Sequence, residues 1–331
     1  MSKASDVWEQ ADRFVLDNDE FLVVSHLHPD GDAIGSTLAV GFILKALGKR
    51  YVMVNESPVP QKFRFLPGVE DILSPEEVQA REKPFRRAIA VDAADADRMG
   101  ITWNLLGSDA DILNIDHHPT NDRFGTVNVI DSDAAATAEI LCLWADRLQV
   151  TWDRDLASCL YTGLLTDTGG FRYSNTTPKV MALASRLLRC GVDASGIADR
   201  ALETMTREQI ALVRRALDSL SFSEDGRIGW MWLKREDFQE TGADEEELDG
   251  IVNYARNVVG VDVGILFRET EEGTVKASFR SREMVDVGKL AQSFGGGGHA
   301  RAAGCSLSES GEKVERAVLE QVTRALQGGG S

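Results

Sequence analysis

Short apolar runs rich in β-branched residues recur through the first half of the chain. They occupy residues 21–25, 50–54, 87–91, 112–115 and 126–130. Stretches with helical periodicity lie between or after them, at 33–47, 134–149, 154–166 and 178–190. Parallel strands need crossover connections, which are usually helices. This order of elements therefore predicts an α/β fold in which helices flank a five-stranded, mostly parallel sheet.

The second half of the chain has a different order of elements. The expected elements are a strand over 227–234, a helix over 244–258, a hairpin built from VDVGILFRE and TVKASFRS, a short helix over 286–293, a glycine loop, a strand near 304–308 and a helix over 311–326. This order is typical of a small α+β domain. We therefore expect a catalytic domain over 1–190, a helical connector over 191–220 and a substrate-binding domain over 221–331.

The chain of 331 residues carries a net charge of −17. Proteins that hold long duplexes by their phosphates usually present a basic surface, so the charge argues against that class of protein. A nucleic-acid substrate would instead be a short piece bound at a local site. Part of the acidity is expected to belong to ligands of hard cations, which prefer oxygen donors.

Several features indicate a cytoplasmic protein that does not enter a membrane. No apolar run approaches the roughly 18 residues that a membrane span needs. The N-terminal stretch MSKASDVWEQADRF is charged and lacks the apolar core of a signal peptide. The four cysteines are far apart and fit a reducing compartment better than disulfides or a zinc site. The sequence is compatible with a homodimer.

Acids and histidines follow three of the predicted strands. FLVVS runs into HLHPDGD, which contains His26, Asp30 and Asp32. RAIAV runs into Asp92, and ILNI runs into the triplet 116–118, DHH. Ligands of open α/β sheets bind beyond the carboxyl ends of the strands, so these side chains should meet at one edge. Taken singly, Asp30 and Asp32 could also be turn and helix-capping residues, with the histidines incidental.

A further acid, Asp167, closes a predicted helix in LLTDTGGF. The helix dipole disfavours a carboxylate at this end, and a nearby cation would offset that effect. Mixed histidine and aspartate ligands suit a pair of divalent ions such as Mn²⁺, with Mg²⁺ or Co²⁺ as substitutes. Two such ions about 4 Å apart can activate a water and stabilise an in-line displacement at phosphorus.

The order of these motifs resembles the DHH phosphoesterase superfamily. The matching segments are HxHPDGDAIGS, VDAAD, DHH and LLTDTGGFRYSNTT, and GGGGHARAAG at 295–304 resembles the signature of the associated DHHA1 domain. The length of the chain resembles the NrnA-type group, oligoribonucleases that also dephosphorylate 3′-phosphoadenosine 5′-phosphate (pAp).

The resemblance implies specific roles for residues of this chain. One ion would be held by His26, Asp30 and Asp92, and the other by Asp32, Asp92, His117 and Asp167. Asp92 would bridge the two ions. His118 would contact the scissile phosphate instead of a metal. His28 matches the family's motif but has no ligand role in it, and it is expected either to support the ligands from behind or to pack beside the site.

The glycine loop is the candidate site for the substrate's terminal phosphate. Gly296, Gly297 and Gly298 permit converging backbone N–H groups, and His299 and Arg301 add positive charge. A flexible surface turn is the alternative for the glycines alone. By resemblance, Arg280 would be a second phosphate contact. Asn253 and Arg256 would line the substrate cleft or belong to an ordinary solvated helix face.

These observations predict a metal-dependent phosphoesterase that acts on very short RNA or DNA single strands, dinucleotides and pAp. The alternatives are a RecJ-like exonuclease for longer single strands, a phosphodiesterase for linear or cyclic dinucleotides, and an inorganic pyrophosphatase. A non-catalytic nucleotide sensor is an alternative from a different class. Loss of a metal ligand would favour the sensor, and the motifs retain all of the expected ligands.

Overall fold

The computed structural model describes residues 2–79, 83–270, 273–308 and 311–328. The chain divides into two compact units, unit 1 over Met1–Thr204 and unit 2 over Met205–Ser331. Each unit has its own buried apolar core. Within the described residues, no helix is both long enough and apolar enough to cross a bilayer.

Unit 1 is built on a sheet in which all neighbouring strands are parallel. The strands are β1 (Phe21–Val24), β2 (Tyr51–Val54), β3 (Ile72–Leu73), β4 (Phe85–Val91), β5 (Leu106–Asp116) and β6 (Val127–Ile130), in the order β3-β2-β1-β4-β5-β6. The predicted α/β class and parallel sheet are confirmed. The strand count of five was wrong by one. The sixth strand, β3, is a two-residue edge strand, too short to show a period in the sequence.

Helices surround this sheet. They are α1 (Ser2–Leu16), α2 (Gly31–Ala46), α3 (Pro75–Gln79), α4 (Thr137–Arg147), α5 (Arg154–Asp167), α6 (Pro178–Arg189) and α7 (Ala194–Ala198). Side chains at the N-caps start several of them. Asp153 accepts from the backbone N–H of Leu156, and Thr177 accepts from that of Val180. α5 ends at Asp167, as its sequence predicted.

Glycines allow α2 and α5 to pack closely. A Cβ at Gly35 would lie 2.5 Å from the carbonyl oxygen of Cys159, so only glycine fits there. A Cβ at Gly163 would overlap the carboxylate of Asp32. This close approach of the two helices brings Asp32, in the first turn of α2, towards Asp167 at the end of α5.

Unit 2 combines a mostly antiparallel sheet with helices. Its strands are β7 (Ser221–Phe222), β8 (Ile228–Leu233), β9 (Val263–Glu269), β10 (Val275–Ser281), β11 (Gly297–His299) and β12 (Ala302–Leu307), in the order β11-β12-β10-β9-β8-β7. Its helices are α8 (Arg207–Asp218), α9 (Arg235–Thr241), α10 (Val252–Arg256), α11 (Val287–Gln292) and α12 (Gly311–Gly328). Only β8 and β9 run parallel among these described strands.

Two local expectations for unit 2 were wrong. The helix expected over 244–258 is a short 3₁₀ turn, Glu246–Leu248, followed by the five-residue α10. Gly250, with φ of 78°, separates the two pieces. The loop expected at the glycines is partly strand β11, which pairs with β12. A Cβ at Gly296 would overlap the carbonyl oxygen of Gly304, so close backbone packing accounts for at least one of these glycines.

We predict that Gly35→Ala lowers the free energy of unfolding by about 1–3 kcal/mol, the usual effect of overpacking a core. The new methyl group would meet backbone atoms of Cys159, which cannot move aside easily. Gly41→Ala is the matched control on the same helix, because its methyl group would meet the flexible side chain of Met53. Equal stability of the two variants in urea unfolding would contradict this account of the α2–α5 contact.

Candidate active site

Three adjacent strands of unit 1 deliver the predicted side chains to one edge of the sheet. His26 follows β1, Asp92 follows β4, and β5 ends at Asp116 with His117 and His118 directly after it. His26, Asp92, Asp116 and His117 are all at most 5% exposed. The carboxyl ends of the strands therefore form a buried polar cluster.

The first part of this cluster surrounds His26. Its Nε2 lies 3.5 Å from Oδ2 of Asp92 and 3.9 Å from Oδ1 of Asp30. Around an octahedral ion with bonds of about 2.1 Å, adjacent donors lie about 3 Å apart and opposite donors about 4 Å apart. The observed separations match this geometry, so these three residues fit one divalent cation.

The second part of the cluster surrounds His117. Its Nε2 lies 3.2 Å from Oδ2 of Asp167 and 3.6 Å from Oδ1 of Asp92. A donor atom of Asp32 lies within 4.8 Å of donors of Asp92 and His117. Asp92 belongs to both parts and uses a different oxygen in each. The structure thus brings together all six residues expected to bind metal.

Backbone carbonyls orient both of these histidine rings. Nδ1 of His26 lies 2.7 Å from the carbonyl oxygen of Leu27, and Nδ1 of His117 lies 3.3 Å from that of Ala134. A ring that donates from Nδ1 keeps Nε2 available as a metal ligand, and metal-binding histidines usually show this arrangement. The donor set and its orientation both fit divalent cations.

The charges in the cluster shift its proton equilibria. Burial disfavours the charged form of His26, but its hydrogen bond to Asp92 and the charge of Asp30 raise its pKa to about 9. Burial also opposes a charged His117, yet its bond to Asp167 raises its pKa above the usual range. Without cations, protons on these rings therefore compensate the carboxylates.

The pKa values of the carboxylates in the cluster shift in opposite directions. Burial and the charge of Asp92 raise the pKa of Asp32 well above its usual range. Burial raises the pKa of Asp167 to about 6, although the bond from His117 opposes that shift. Burial acts in the same direction on Asp92, but bonds and charges from the histidines outweigh it and lower its pKa. Asp92 therefore keeps its negative charge to a lower pH than Asp32 and Asp167 do.

The N-terminus of α4 is tied to two of the expected ligands. The backbone N–H groups of Thr137 and Ala138 donate to Asp32 at 2.6 and 3.0 Å, and Oγ1 of Thr137 donates to Asp92 at 3.0 Å. Asp32 therefore caps a helix from more than a hundred residues away in sequence. Sequence reasoning missed Thr137, since a single threonine at a helix start is common.

The backbone conformation helps to place the side chains of Asp30 and Asp92 in the cluster. Asp30 is the N-cap of α2 and accepts from the N–H groups of Asp32 and Ala33, so its capping role and its place in the cluster coexist. Asp92 adopts φ of 55°, which is strained for a residue other than glycine. Such strain usually persists only where the surrounding structure holds it, often at functional sites.

His118 differs from His117 in its partner. Nδ1 of His118 lies 2.8 Å from Oδ1 of the fully buried Asp116, and 3.7 Å from Oδ1 of Asp92. A carboxylate partner on Nδ1 is typical of a histidine that handles charge during a reaction. His28 is exposed and donates its backbone N–H to Ser57, so the alternative that it packs beside the site was wrong.

In unit 2, the sheet places two expected phosphate contacts in one row. His299 lies opposite Ala302, and Ala302 lies opposite Arg280. Directly opposed residues of antiparallel strands point to the same face, so His299 and Arg280 share a face of the sheet. The next residue in the row is Gly264, where a Cβ would lie 2.5 Å from the backbone nitrogen of Arg256.

The other expected substrate contacts of unit 2 lie near this row. Nη2 of Arg256 donates to Oδ1 of Asn253 on the same helix at 3.3 Å. Arg301 lies in the turn between β11 and β12, and its Nη1 donates to the carbonyl oxygen of Val285 at 3.0 Å. Arg301 therefore supports the turn after β10, whereas the row of His299 and Arg280 carries positive charge on the sheet face.

Both units match known domains. Residues 20–164 match the N-terminal domain of the DHH family, and residues 232–328 match the DHHA1 domain. The chain belongs to the DHH family of phosphoesterases. Members of this family depend on metal ions, and the clusters around Asp92 could hold them.

Two relatives are similar to this chain in sequence, and one solved structure is similar to it in fold. The bifunctional oligoribonuclease and PAP phosphatase NrnA of Thermus thermophilus is 38% identical over 309 residues, which cover 92% of this chain and 90% of that protein. NrnA of Bacillus subtilis is 27% identical, with 92% and 94% covered. An exopolyphosphatase-related protein from Bacteroides fragilis has the same fold, with a TM-score of 0.86, 24% identity and coverage of 99% and 98%.

We predict that Mn²⁺ binding releases protons between about pH 6 and about pH 9. His26 has a raised pKa of about 9 and must lose its proton to bind a cation, so affinity should increase as the pH rises towards that value. Asp167, with a pKa of about 6, should weaken binding further as the pH falls through that value. Titration calorimetry in two buffers of different ionisation enthalpy measures the released protons. Binding without proton release in this window would contradict the account.

We predict that His117→Ala and His118→Ala differ in metal content. His117→Ala should lose Mn²⁺, because Nε2 of His117 faces the carboxylates of Asp92 and Asp167. His118→Ala should keep its Mn²⁺ and still lose turnover, because its Nδ1 partner is Asp116. Elemental analysis of the two purified variants gives the comparison, and equal metal loss would show that both histidines are ligands.

Proposed function

We propose that this protein is a Mn²⁺-dependent hydrolase that degrades short oligoribonucleotides to mononucleotides and dephosphorylates pAp. The observation that carries the proposal is the shared carboxylate of Asp92, which lies between two donor sets spaced for divalent cations. The Thermus thermophilus and Bacillus subtilis relatives named for these two activities match nearly the whole chain. Four dispersed free cysteines support a cytoplasmic location.

Two Mn²⁺ ions would be held by the residues of the buried cluster. The first set is His26, Asp30 and Asp92, and the second is Asp32, Asp92, His117 and Asp167. Divalent ions supply charge stabilisation at phosphorus and lower the pKa of a water to near neutrality. Mg²⁺ or Co²⁺ would satisfy the same oxygen and nitrogen donors with different affinity.

The protein's own side chains orient and stabilise the reacting phosphate. Asp116 accepts from Nδ1 of His118, which fixes the direction in which Nε2 points. Nε2–H of His118 would then donate to an oxygen of the scissile phosphate, where negative charge develops. The bond from Thr137 to Asp92 keeps the shared carboxylate in place during this step.

The remaining part of the proposal concerns how the substrate end is recognised. The row of His299 and Arg280 on the sheet face of unit 2 would bind a terminal phosphate of the substrate. An arginine can form two parallel bonds to phosphate oxygens, which favours a phosphorylated end over an uncharged one. The strongly acidic chain would disfavour long nucleic acids and leave short ones as substrates.

The direct test compares substrates of graded size in the presence of Mn²⁺. We expect pAp, pGpG and RNA of two to five nucleotides to be hydrolysed, with rates that fall steeply for longer strands. Asp92→Asn should be inactive on all of them, because both ions lose a charged ligand. Preference for long single strands would indicate a RecJ-like exonuclease, and fastest hydrolysis of pyrophosphate would indicate a pyrophosphatase. Nucleotide binding without hydrolysis would indicate a sensor.

We predict that Arg280→Ala weakens the hydrolysis of pAp but leaves the hydrolysis of a minimal phosphodiester nearly unchanged. A charge-assisted bond to phosphate contributes roughly 1.5–3 kcal/mol, so kcat/KM for pAp should fall about ten- to a hundredfold. Hydrolysis of bis-p-nitrophenyl phosphate, which has no terminal phosphate, should change little. Lys276→Ala is the matched control, because Lys276 is an exposed cation on the same strand. An equal fall for both substrates would place Arg280 in the catalytic centre or the fold.

A further inference from the structure

The buried carboxylate of Asp116 has a second partner besides His118. Oδ1 of Asp116 accepts from Nδ1 of His118 at 2.8 Å, and Oδ2 accepts from Nδ2 of Asn121 at 2.7 Å. The family motifs that identified the site did not include Asn121. The amide of Asn121 nevertheless contacts Asp116, and Asp116 contacts His118, which the proposed function assigns to the reaction.

The orientation of the Asn121 amide is fixed by its surroundings. Oδ1 accepts from the backbone N–H of Arg123 at 2.7 Å, so the opposite end of the amide must be the nitrogen. That nitrogen also lies 2.9 Å from Oδ1 of Asn114 and 3.1 Å from the carbonyl oxygen of Ala93. Every neighbour of the nitrogen is an acceptor, which confirms a donor at this position.

This arrangement determines which carboxylate accepts the hydrogen bond from Nδ1 of His118. Nδ1 of His118 lies between Oδ1 of Asp116, at 2.8 Å, and Oδ1 of Asp92, at 3.7 Å. A bond from Asn121 holds Asp116 in position to accept the Nδ1 proton. Because the two ring nitrogens lie on opposite edges of an imidazole, a fixed Nδ1 bond also fixes the direction of Nε2.

We propose that Asn121 is a positioning residue that acts through Asp116 to hold His118 in its working orientation, with Nδ1–H bonded to Asp116. The same bond keeps His118 directed towards Asp116 and leaves the oxygens of Asp92 for cations. The proposal rests on the proposed function, in which His118 contacts the scissile phosphate. Asn121 itself touches neither substrate nor metal in this scheme.

The two ends of the Asn121 side chain serve two separable purposes. Oδ1 stabilises the turn to Arg123, and Nδ2 holds Asp116. Asn121→Asp keeps the size of the side chain and the acceptor for Arg123, but it removes the donor to Asp116. Because the new carboxylate would also repel the buried carboxylate of Asp116, a loss seen with this variant supports the positioning role only where Asn121→Ala shows it too. Asn121→Ala removes both functions.

The kinetic test uses the full chain with Mn²⁺ and pAp. Asn121→Asp and Asn121→Ala should each lower kcat about ten- to a hundredfold with KM within about threefold, as expected when a charge-assisted bond that matters in the transition state is lost. Manganese content should stay at the wild-type level. The matched controls are Asn128→Asp and Asn128→Ala. Asn128 is an equally half-buried asparagine whose amide bonds only to Gly125 among the described contacts.

A double-mutant cycle shows whether the effect passes through His118. In a His118→Ala background, Asn121→Asp should cause no further loss, because the residue that it positions is gone. A loss equal to that in the wild-type background would overturn the proposal. Retention of full kcat by Asn121→Asp would also overturn it, and would leave Asn121 as a turn residue.

A spectroscopic test does not depend on the identity of the substrate. The chain has five histidines, so ¹⁵N-labelled rings give a spectrum that single variants can assign. Nδ1–H of His118 should be bonded to Asp116 in the wild type, and Asn121→Asp should shift its ¹H and ¹⁵N signals towards those of an unbonded ring, with Asn128→Asp unchanged. An unchanged His118 signal in Asn121→Asp would refute the positioning role. If the wild type hydrolyses no nucleotide while this shift is seen, the proposed function fails and the positioning role stands.

Discussion

The shared carboxylate of Asp92 is the constraint on which the rest of the site depends. It is buried and lies within 4 Å of the rings of His26, His117 and His118. A buried charge is stable only when opposite charge or hydrogen bonds compensate it. Without cations, protons on His26 and His117 meet this need, and divalent ions would replace them. The concentration of negative charge that is unfavourable in the cluster alone would therefore favour the binding of cations there.

The scaffold around Asp92 explains why the cluster can exist. Parallel strands end at one edge, so residues far apart in sequence arrive together without long loops. Glycine contacts bring α2 and α5 close enough to place Asp32 and Asp167 on the same side of the shared carboxylate. The N-terminus of α4 then donates three hydrogen bonds to Asp32 and Asp92, and its dipole favours their negative charge.

The sequence predicted the parts of this site that follow from repeated local patterns. Three strands that end in acids or histidines predicted the edge at which His26, Asp92 and His117 meet, because strand direction alone sets that geometry. Thr137 and Asn121 were not predictable in this way, since each is an ordinary polar residue whose role comes from a distant partner. The edge strand β3 was missed because two residues are too few to show an alternating pattern. The break at Gly250 was missed because a single glycine inside a helical pattern is often tolerated.

The central claim is that one carboxylate is shared by two metal ions. The most direct measurement is anomalous X-ray diffraction at the manganese absorption edge from crystals grown with Mn²⁺. The account predicts two peaks in unit 1, separated by about 4 Å as in two-metal sites, with Asp92 between them and one of its oxygens on each. A single peak, or two peaks of which either lies beyond bonding distance of Asp92, would contradict the account.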